Sequence, residues 1–268
     1  MSGIGQFFVV VLVGFGTGVL AGMFGIGGGV VSKPAIRALG ATPLDAVGST
    51  LPAVIPGAIS GTLRYSREGL IRWQVFAWTA LVGSVGAVAG ALLTTAVPGD
   101  GHPLMLAVAG LLAFTSIRLA LPQRAPAIVA DPHRHANPAP RRERVEWWRC
   151  ATVGAAAGLL SGLLGIGGGV VLVPSFTNWL RLPLKSALGT SLACVGVLAV
   201  PGMITHAILG HVNWAYAIPL CIGVVPGARI GAHLAIRANE RTLRLSVAVV
   251  LGLIAVVYFA GELASLAG

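Results

Sequence analysis

Two glycine runs are the segments of this sequence most suited to binding chemistry. Residues 25–29 read Gly-Ile-Gly-Gly-Gly, and residues 165–169 repeat the same five residues. Glycine breaks a helix without blocking the backbone, and a helix that starts after such a break presents free N–H groups and a partial positive charge. Such a helix start binds oxyanions. The alternative is that the glycines only let helices cross closely. The predicted anion-binding residues in these runs are Gly27, Gly28, Gly29, Gly167, Gly168 and Gly169.

Four hydroxyl groups and two basic residues lie near the runs in sequence or in apolar segments. Arg229 lies within an apolar stretch, where a charge costs a few kcal/mol unless it faces a partner or water. We predict that it is a substrate or gating cation; the alternative is a structural pair with a carbonyl or carboxylate. Lys33, whose counterpart is Val173, is expected to be a vestibule charge. The hydroxyls either donate to substrate oxygens or cap helices; they belong to Ser49, Thr50, Thr190 and Ser191.

Several other kinds of site are not supported by the sequence. The glycine runs lack the preceding strand of a dinucleotide site and the Gly-Lys-Ser/Thr of a phosphate-binding loop. Only Asp45 and Glu262 lie near apolar segments, so no carboxylate pair is available for catalysis. His133 and His135 without a third ligand are weak evidence for a metal. We therefore predict no enzyme activity, no catalytic residue, no cofactor and no metal.

The composition indicates that these residues must be positioned by membrane helices. Hydrophobic residues make up 56% of the chain and charged residues 10%, whereas soluble domains carry about 25% charged residues. The net charge of +10 comes from basic residues between the apolar runs, a pattern that sets membrane orientation and does not favour nucleic-acid binding. An all-α polytopic membrane protein is predicted. Its apolar segments are 4–31, 42–62, 73–95, 103–121, 150–175, 186–209, 214–235 and 243–266.

The sequence contains one unit twice. The stretch 18–31 recurs at 158–171, and after one inserted residue the stretch 46–51 recurs at 187–192. Between the copies lies a segment rich in proline and arginine that cannot bury an apolar face. The predicted organisation is a first membrane repeat at 1–121, a polar cytoplasmic linker at 122–146 and a second membrane repeat at 147–268.

The charges of matching loops predict that the two repeats are inverted. Arg64, Arg67 and Arg72 flank the second connection, whereas the matching connection near residue 210 holds only histidines. By the positive-inside rule such loops face opposite sides, which requires an odd number of crossings in each repeat. A re-entrant hairpin broken at each glycine run provides this number. We therefore predict three transmembrane helices and one re-entrant segment in each half, with a substrate site where the breaks meet. The alternative is that all eight apolar segments cross the membrane completely.

These motifs resemble those of a known family of membrane transporters. The doubled Gly-x-Gly-Gly-Gly segment followed by Pro34 or Pro174, the Gly-Thr-Ser-Leu at 189–192 and the Pro-Gly-Ala-Arg-Ile-Gly-Ala at 226–232 are similar to the TauE/SafE sulfite-exporter family. The resemblance covers both halves apart from the linker. It implies a bacterial permease for sulfite, sulfonates such as sulfoacetate, or related sulfur compounds. The first copy has Gly48-Ser49-Thr50 and no arginine equivalent to Arg229, so a two-fold symmetric site is not expected.

The resulting expectation is an exporter of a small sulfur oxyanion in the cell inner membrane. Its partners are then the anion and the lipid bilayer, while homo-oligomer formation stays open. Two alternatives remain: a channel-like or import permease, and a membrane scaffold that transports nothing. Two further expectations can be tested by mutation. We expect Gly28→Val and Gly168→Val each to abolish transport, and alanine to be tolerated better at Gly18 or Gly158 on the preceding helices.

Overall fold

The computed structural model describes residues 3–93, 106, 109–110, 112–117, 146–165 and 167–267, and these are almost entirely helical. The predicted linker, apart from Glu146, lies outside the described residues, as do His133 and His135. Residues 112–117 are also helical. The helices with defined bounds are α1 (Gly3–Phe24), α2 (Gly29–Ala38), α3 (Pro43–Ser66), α4 (Trp73–Leu93), α5 (Trp147–Leu164), α6 (Gly169–Asn178), α7 (Leu184–Ile208), α8 (Trp214–Arg237) and α9 (Glu240–Ala267).

Six of the described helices are long and apolar enough to cross a membrane, namely α1, α3, α4, α7, α8 and α9. The chain is therefore an all-helical, multi-pass membrane protein, as the composition predicts. Polar caps separate the crossings: the Thr42 side chain accepts a hydrogen bond from the N–H of Asp45 at the start of α3, and Asn213 caps α8 in the same way. The predicted first and fifth segments are each divided at the glycine run into a long helix and a helix of ten residues.

Each divided segment folds back as a hairpin. Gln6 at the start of α1 donates a hydrogen bond to the hydroxyl of Tyr216, at 3.2 Å. The same hydroxyl donates to the carbonyl of Leu39, directly after α2, at 3.2 Å. In the second half the rings of Trp148 and Trp179 lie 6.0 Å apart, joining the start of α5 to the end of α6. The chain therefore enters and leaves each hairpin at the same end of the helix bundle.

The long helix of each hairpin packs against a helix of the other repeat. An ideal Cβ on Gly14 of α1 lies 2.7 Å from the Leu220 oxygen of α8, and one on Gly18 lies 2.5 Å from the Val224 oxygen. Likewise, a Cβ on Gly154 of α5 lies 3.0 Å from the Cα of Thr79 in α4. Residue numbers rise together along both pairs, so the helices of each pair run parallel. Neither interface leaves room for a methyl group at these glycines.

These contacts agree with the expectation that Gly18 and Gly158 act through packing, but they contradict the expectation that alanine is tolerated better there. Gly158 faces the backbone of Gly83, with an ideal Cβ 2.7 Å from the Gly83 carbonyl carbon. Both glycines lie at helix contacts where the obstructing atoms belong to the neighbouring backbone. A backbone cannot rotate away as a flexible side chain can, so the packing requirement is stricter here than sequence spacing suggests.

Helices α3 and α7 cross at the centre of the bundle. A Cβ on Gly189 near the start of α7 lies 2.9 Å from the ring of Tyr65 near the end of α3. A Cβ on Gly202 near the end of α7 lies 3.6 Å from Leu51 near the start of α3. These two helices occupy matching positions in the repeated sequence and run in opposite directions. The inverted repeat stays a prediction. The side of the membrane on which each end lies stays a prediction.

Cysteine labelling can test the predicted sidedness. The ends of α3 and α8 lie together, since Arg64 and His233 are in hydrogen-bond contact at 3.2 Å, and α9 begins just after α8. We expect Ser66→Cys and Thr242→Cys to be labelled from the cytoplasm, and Ala38→Cys, at the other end, from outside. Labelling Thr242→Cys and Ala38→Cys from the same side would contradict the inverted repeat. Asp100, which the sequence places outside, lies beyond the described residues.

Candidate functional site

The glycine runs form left-handed backbone turns that end the long helices of the hairpins. In the first run Gly25 and Gly27 have φ of +66° and +69°. In the second run Gly165, Gly167 and Gly168 have φ of +58°, +76° and +72°. Residues with a Cβ adopt this conformation only at a cost, because the Cβ approaches the following carbonyl. The two breaks are therefore a direct consequence of the repeated sequence.

The two breaks contact each other inside the bundle. An ideal Cβ on Gly169, the first residue of α6, lies 2.6 Å from the oxygen of Gly25 and 2.7 Å from the carbonyl carbon of Ile26. Ile26 and Leu164, which flank the breaks, belong to the same buried apolar cluster. The prediction that the breaks meet at one place is thus matched by the geometry of the described residues.

The helices that start after the breaks present their N-termini to this region. In α2 the N–H groups of Val31 and Ser32 donate to the oxygen of Gly28. In α6 the N–H groups of Val171 and Leu172 donate to the oxygen of Gly168. The N–H groups nearer each helix start have no intrahelical acceptor, as at every helix N-terminus. They are the donors that the sequence predicts for an anion, and anion binding by them stays a prediction.

Side chains from neighbouring helices bond the carbonyl groups that end α1. The hydroxyl of Tyr65 donates to the oxygen of Gly22 at 3.0 Å, and Ser191 donates to the oxygen of Gly25 at 2.8 Å. Both side chains are fully buried. The first break is therefore stabilised by two neutral hydroxyl groups, because helix C-terminal carbonyls require partners when water is excluded.

The corresponding carbonyl groups of α5 are bonded by ionisable side chains. His206, the counterpart of Tyr65, lies with Nε2 3.2 Å from the oxygen of Gly162, the counterpart of Gly22. Lys33 donates from Nζ to the oxygen of Leu164, the last residue of α5. The two breaks thus have similar backbone turns, but the side chains that bond their carbonyl groups are neutral hydroxyls at the first break and ionisable groups at the second.

Lys33 lies buried at the second break, which its position in the sequence did not predict. We expected a vestibule charge, but the residue is 0% exposed and reaches the break of the other repeat. Its position four residues after a glycine run was the available signal. The hairpin turns α2 back into the bundle, and that is why the side chain is enclosed instead of reaching water.

The four predicted hydroxyl residues are all buried and have protein partners. Ser49 accepts a hydrogen bond from the N–H of Asn213 at 2.8 Å, and Thr190 accepts one from the N–H of Arg72 at 3.0 Å. Both therefore cap the connection before a helix of the other repeat. Thr50 donates to a carbonyl of its own helix at 3.0 Å. Among the four, Ser191 is the one in hydrogen-bond contact with a break.

We expect Ser49→Ala and Thr190→Ala to lower thermal stability without changing anion affinity. Each substitution leaves a backbone N–H without its acceptor, at a cost of about 1–3 kcal/mol in the free energy of unfolding. Thr50→Val is the matched control because its hydroxyl bonds only within its own helix. Thermal unfolding of the purified proteins measures the effect. Unchanged unfolding with weakened anion binding would instead favour a direct substrate contact by these hydroxyls.

Arg229 is exposed on α8, whereas its neighbour Ala228 is buried against Gly22. The structure therefore does not bring the Arg229 side chain to the buried contact between the breaks. Its role as a gating cation stays a prediction. Among the described residues there is no group of three or more metal-ligating side chains.

Comparison with known proteins supplies the family. The protein-family model described as "Sulfite exporter TauE/SafE" matches residues 10–258 of the chain. The chain is 27% identical to the probable membrane transporter protein YunE of Bacillus subtilis, covering 93% of the chain and 96% of that relative. It is 31% identical to a probable membrane transporter protein of Xylella fastidiosa strain Temecula1, covering 85% and 83% respectively. No solved structure matches.

Proposed function

The chain belongs to the TauE/SafE sulfite-exporter family of membrane transporters, and from this premise we propose that it exports a small sulfur-containing oxyanion. Sulfite and sulfonates such as sulfoacetate are the proposed substrates. The proposed location is the inner membrane of a bacterial cell. The proposal includes no catalytic step and no cofactor.

The observation that carries the proposal is the contact between the two glycine breaks. The N-terminus of α6 lies against the first break, with Gly169 against Gly25 and Ile26. Each N-terminus contributes free N–H donors and a partial positive charge, and this suits an oxyanion better than a cation. Broken helices at the interface of inverted repeats are also the arrangement on which alternating-access transporters build their substrate sites.

The distribution of charge supports export. The bundle end that holds Arg64 also holds the basic connections with Arg72 and Arg181, whereas the connections at 39–42 and 209–213 have no arginine or lysine. The basic end is expected to be cytoplasmic. An anion that leaves a cell with a negative interior moves down the electrical gradient, so export needs no coupling ion.

Flux across liposomes tests the proposal. Purified protein would be reconstituted in one orientation, and sulfite, thiosulfate, sulfoacetate and sulfate would be compared in both directions against protein-free vesicles. We expect saturable flux of one or more of these anions that follows an imposed potential. Equal, non-saturating flux in both directions would favour a channel-like permease. Absence of flux for every anion, with monodisperse protein, would favour a scaffold and overturn the proposal.

A further inference from the structure

Lys33, when protonated, places a positive charge without a counter-charge in the buried region. It is 0% exposed, and among the described residues the fully buried polar set contains no Asp or Glu. Its amine donates to the oxygen of Leu164, yet an ammonium group has three donors. A buried cation without a counter-charge is strongly unfavourable, because desolvation exceeds what one neutral carbonyl returns.

The nearest ionisable neighbours do not supply a negative charge. His206 lies close enough to Lys33 for electrostatic interaction. It contacts the oxygen of Gly162 through Nε2, and its Nδ1 lies 3.1 Å from Nδ1 of His211. This pattern is satisfied by two neutral rings, with His206 donating from Nε2 and accepting at Nδ1. Arg37, one turn further along α2, is half-buried and also basic.

A second buried polar group, on the last turns of α5, has no hydrogen-bond partner among the described residues. The hydroxyl of Ser161 is fully buried and has no hydrogen-bond partner within the described part of the chain. Ser161 precedes Leu164 by one turn of α5, so it lies on the same side of the helix as the carbonyl that Lys33 contacts. The free N–H groups at the start of α6 lie just beyond the same break. An oxyanion would provide acceptors for all three kinds of donor: the ammonium of Lys33, the hydroxyl of Ser161 and the N–H groups at the start of α6.

We propose that Lys33 is the counter-charge of the transported anion and that the site therefore selects oxyanions carrying a single negative charge. This inference rests on the proposed function. One ammonium and one monoanion form a neutral pair, whereas a dianion leaves a net negative charge in a buried site. Sulfonates with one charge and hydrogen sulfite fit this condition. Sulfate, fully deprotonated sulfite and sulfoacetate, whose sulfonate and carboxylate are both ionised, do not, so the inference narrows the substrates proposed above.

The second repeat has no charged residue at the position that matches Lys33. The counterpart of Lys33 is Val173, which is fully buried in the apolar cluster around the breaks. The first break is stabilised by neutral groups, Tyr65 and Ser191, without any cation in the matching place. Neutral side chains are therefore sufficient to stabilise a glycine break in this protein. The amine of Lys33 is not needed for that purpose.

The test compares methanesulfonate with sulfate, which have similar size and shape but carry one and two charges. Binding to the purified full chain is measured by calorimetry at constant ionic strength. We expect the parent to bind methanesulfonate at least about tenfold more tightly than sulfate. Lys33→Met should weaken methanesulfonate binding about 10- to 100-fold, the usual effect of losing a charge-assisted hydrogen bond. Arg37→Met, which removes a half-buried charge one turn further along α2, is the control and should change the affinity less than about threefold.

The outcomes separate this inference from the proposed function. A parent protein that neither binds nor transports any anion of either charge would refute the proposed function, and the inference with it. A parent that transports anions but binds sulfate as tightly as methanesulfonate overturns the inference alone. This comparison needs no variant, so it still decides if Lys33→Met fails to fold. A folded Lys33→Met protein with unchanged affinity and selectivity also overturns the inference.

Discussion

Replacing Gly158 by alanine is expected to prevent assembly of a stable helix bundle. The added Cβ would lie 2.7 Å from the carbonyl carbon of Gly83 and 2.8 Å from its Cα, and closer still to the Gly83 oxygen. Helices α4 and α5 would have to separate. They are held together on either side of this point, because Gly154 and Gly162 also pack against the backbone of α4 with no room for a Cβ. Overpacking of this kind costs about 1–3 kcal/mol where side chains can adjust, and more where only backbone is present.

The measurement is the yield of monodisperse protein and its thermal unfolding in detergent. Gly158→Ala should lose most of the monodisperse fraction, and Gly18→Ala should unfold at a lower temperature than the parent. Gly16→Ala is the matched control: this glycine is also helical, but its Cβ would meet nothing within 4 Å. A Gly158→Ala protein that is as stable as the Gly16→Ala protein would show that the close approach of α4 and α5 does not hold in solution.

The sequence predicted the repeat, the broken hairpins and the family because each depends on local patterns. Five identical residues at 25–29 and 165–169 identify two helix breaks, and long apolar segments identify crossings. The pairing of α1 with α8 and of α4 with α5 is different in kind. It joins residues of opposite repeats, and no local pattern states which helices meet. For that reason Gly18 and Gly158 were expected to tolerate alanine.

The chemistry around the breaks was predicted only in part. The identity of Lys33 is plain in the sequence, but its burial follows from the direction in which α2 returns. His206 became informative only as the counterpart of Tyr65, with both bonded to the last turn of a broken helix. Arg229 was predicted to be a substrate or gating cation from its place in an apolar run, and the structure adds that its side chain is exposed on α8. Periodicity in these nearly uniformly apolar helices is too weak to tell the faces apart.

The second large loss of folded protein is expected for a substitution at Gly168. The matching substitution in the first break, at Gly28, should have a much smaller effect. Gly168 has φ of +72°, and an ideal Cβ would lie 2.7 Å from the oxygen of Ala157. Alanine there meets both a strained backbone, at about 1–2 kcal/mol, and a clash with α5. Gly28 is the matching residue, but its φ is −61° and a Cβ would be 3.7 Å from Thr17. Gly168→Ala should therefore lose folded protein, while Gly28→Ala should remain folded.

This difference makes Gly28 the position at which folding and anion binding can be measured separately. Its peptide precedes α2, whose first N–H groups are predicted to bind the anion. A methyl group beside those donors should weaken methanesulfonate binding about tenfold, comparable to losing one charge-assisted hydrogen bond. Gly202→Ala is the control, since its Cβ also meets an ordinary contact, 3.6 Å from Leu51. Equal affinity in folded Gly28→Ala and Gly202→Ala proteins would exclude the start of α2 from the anion site. It would leave the glycines of the first break as packing residues.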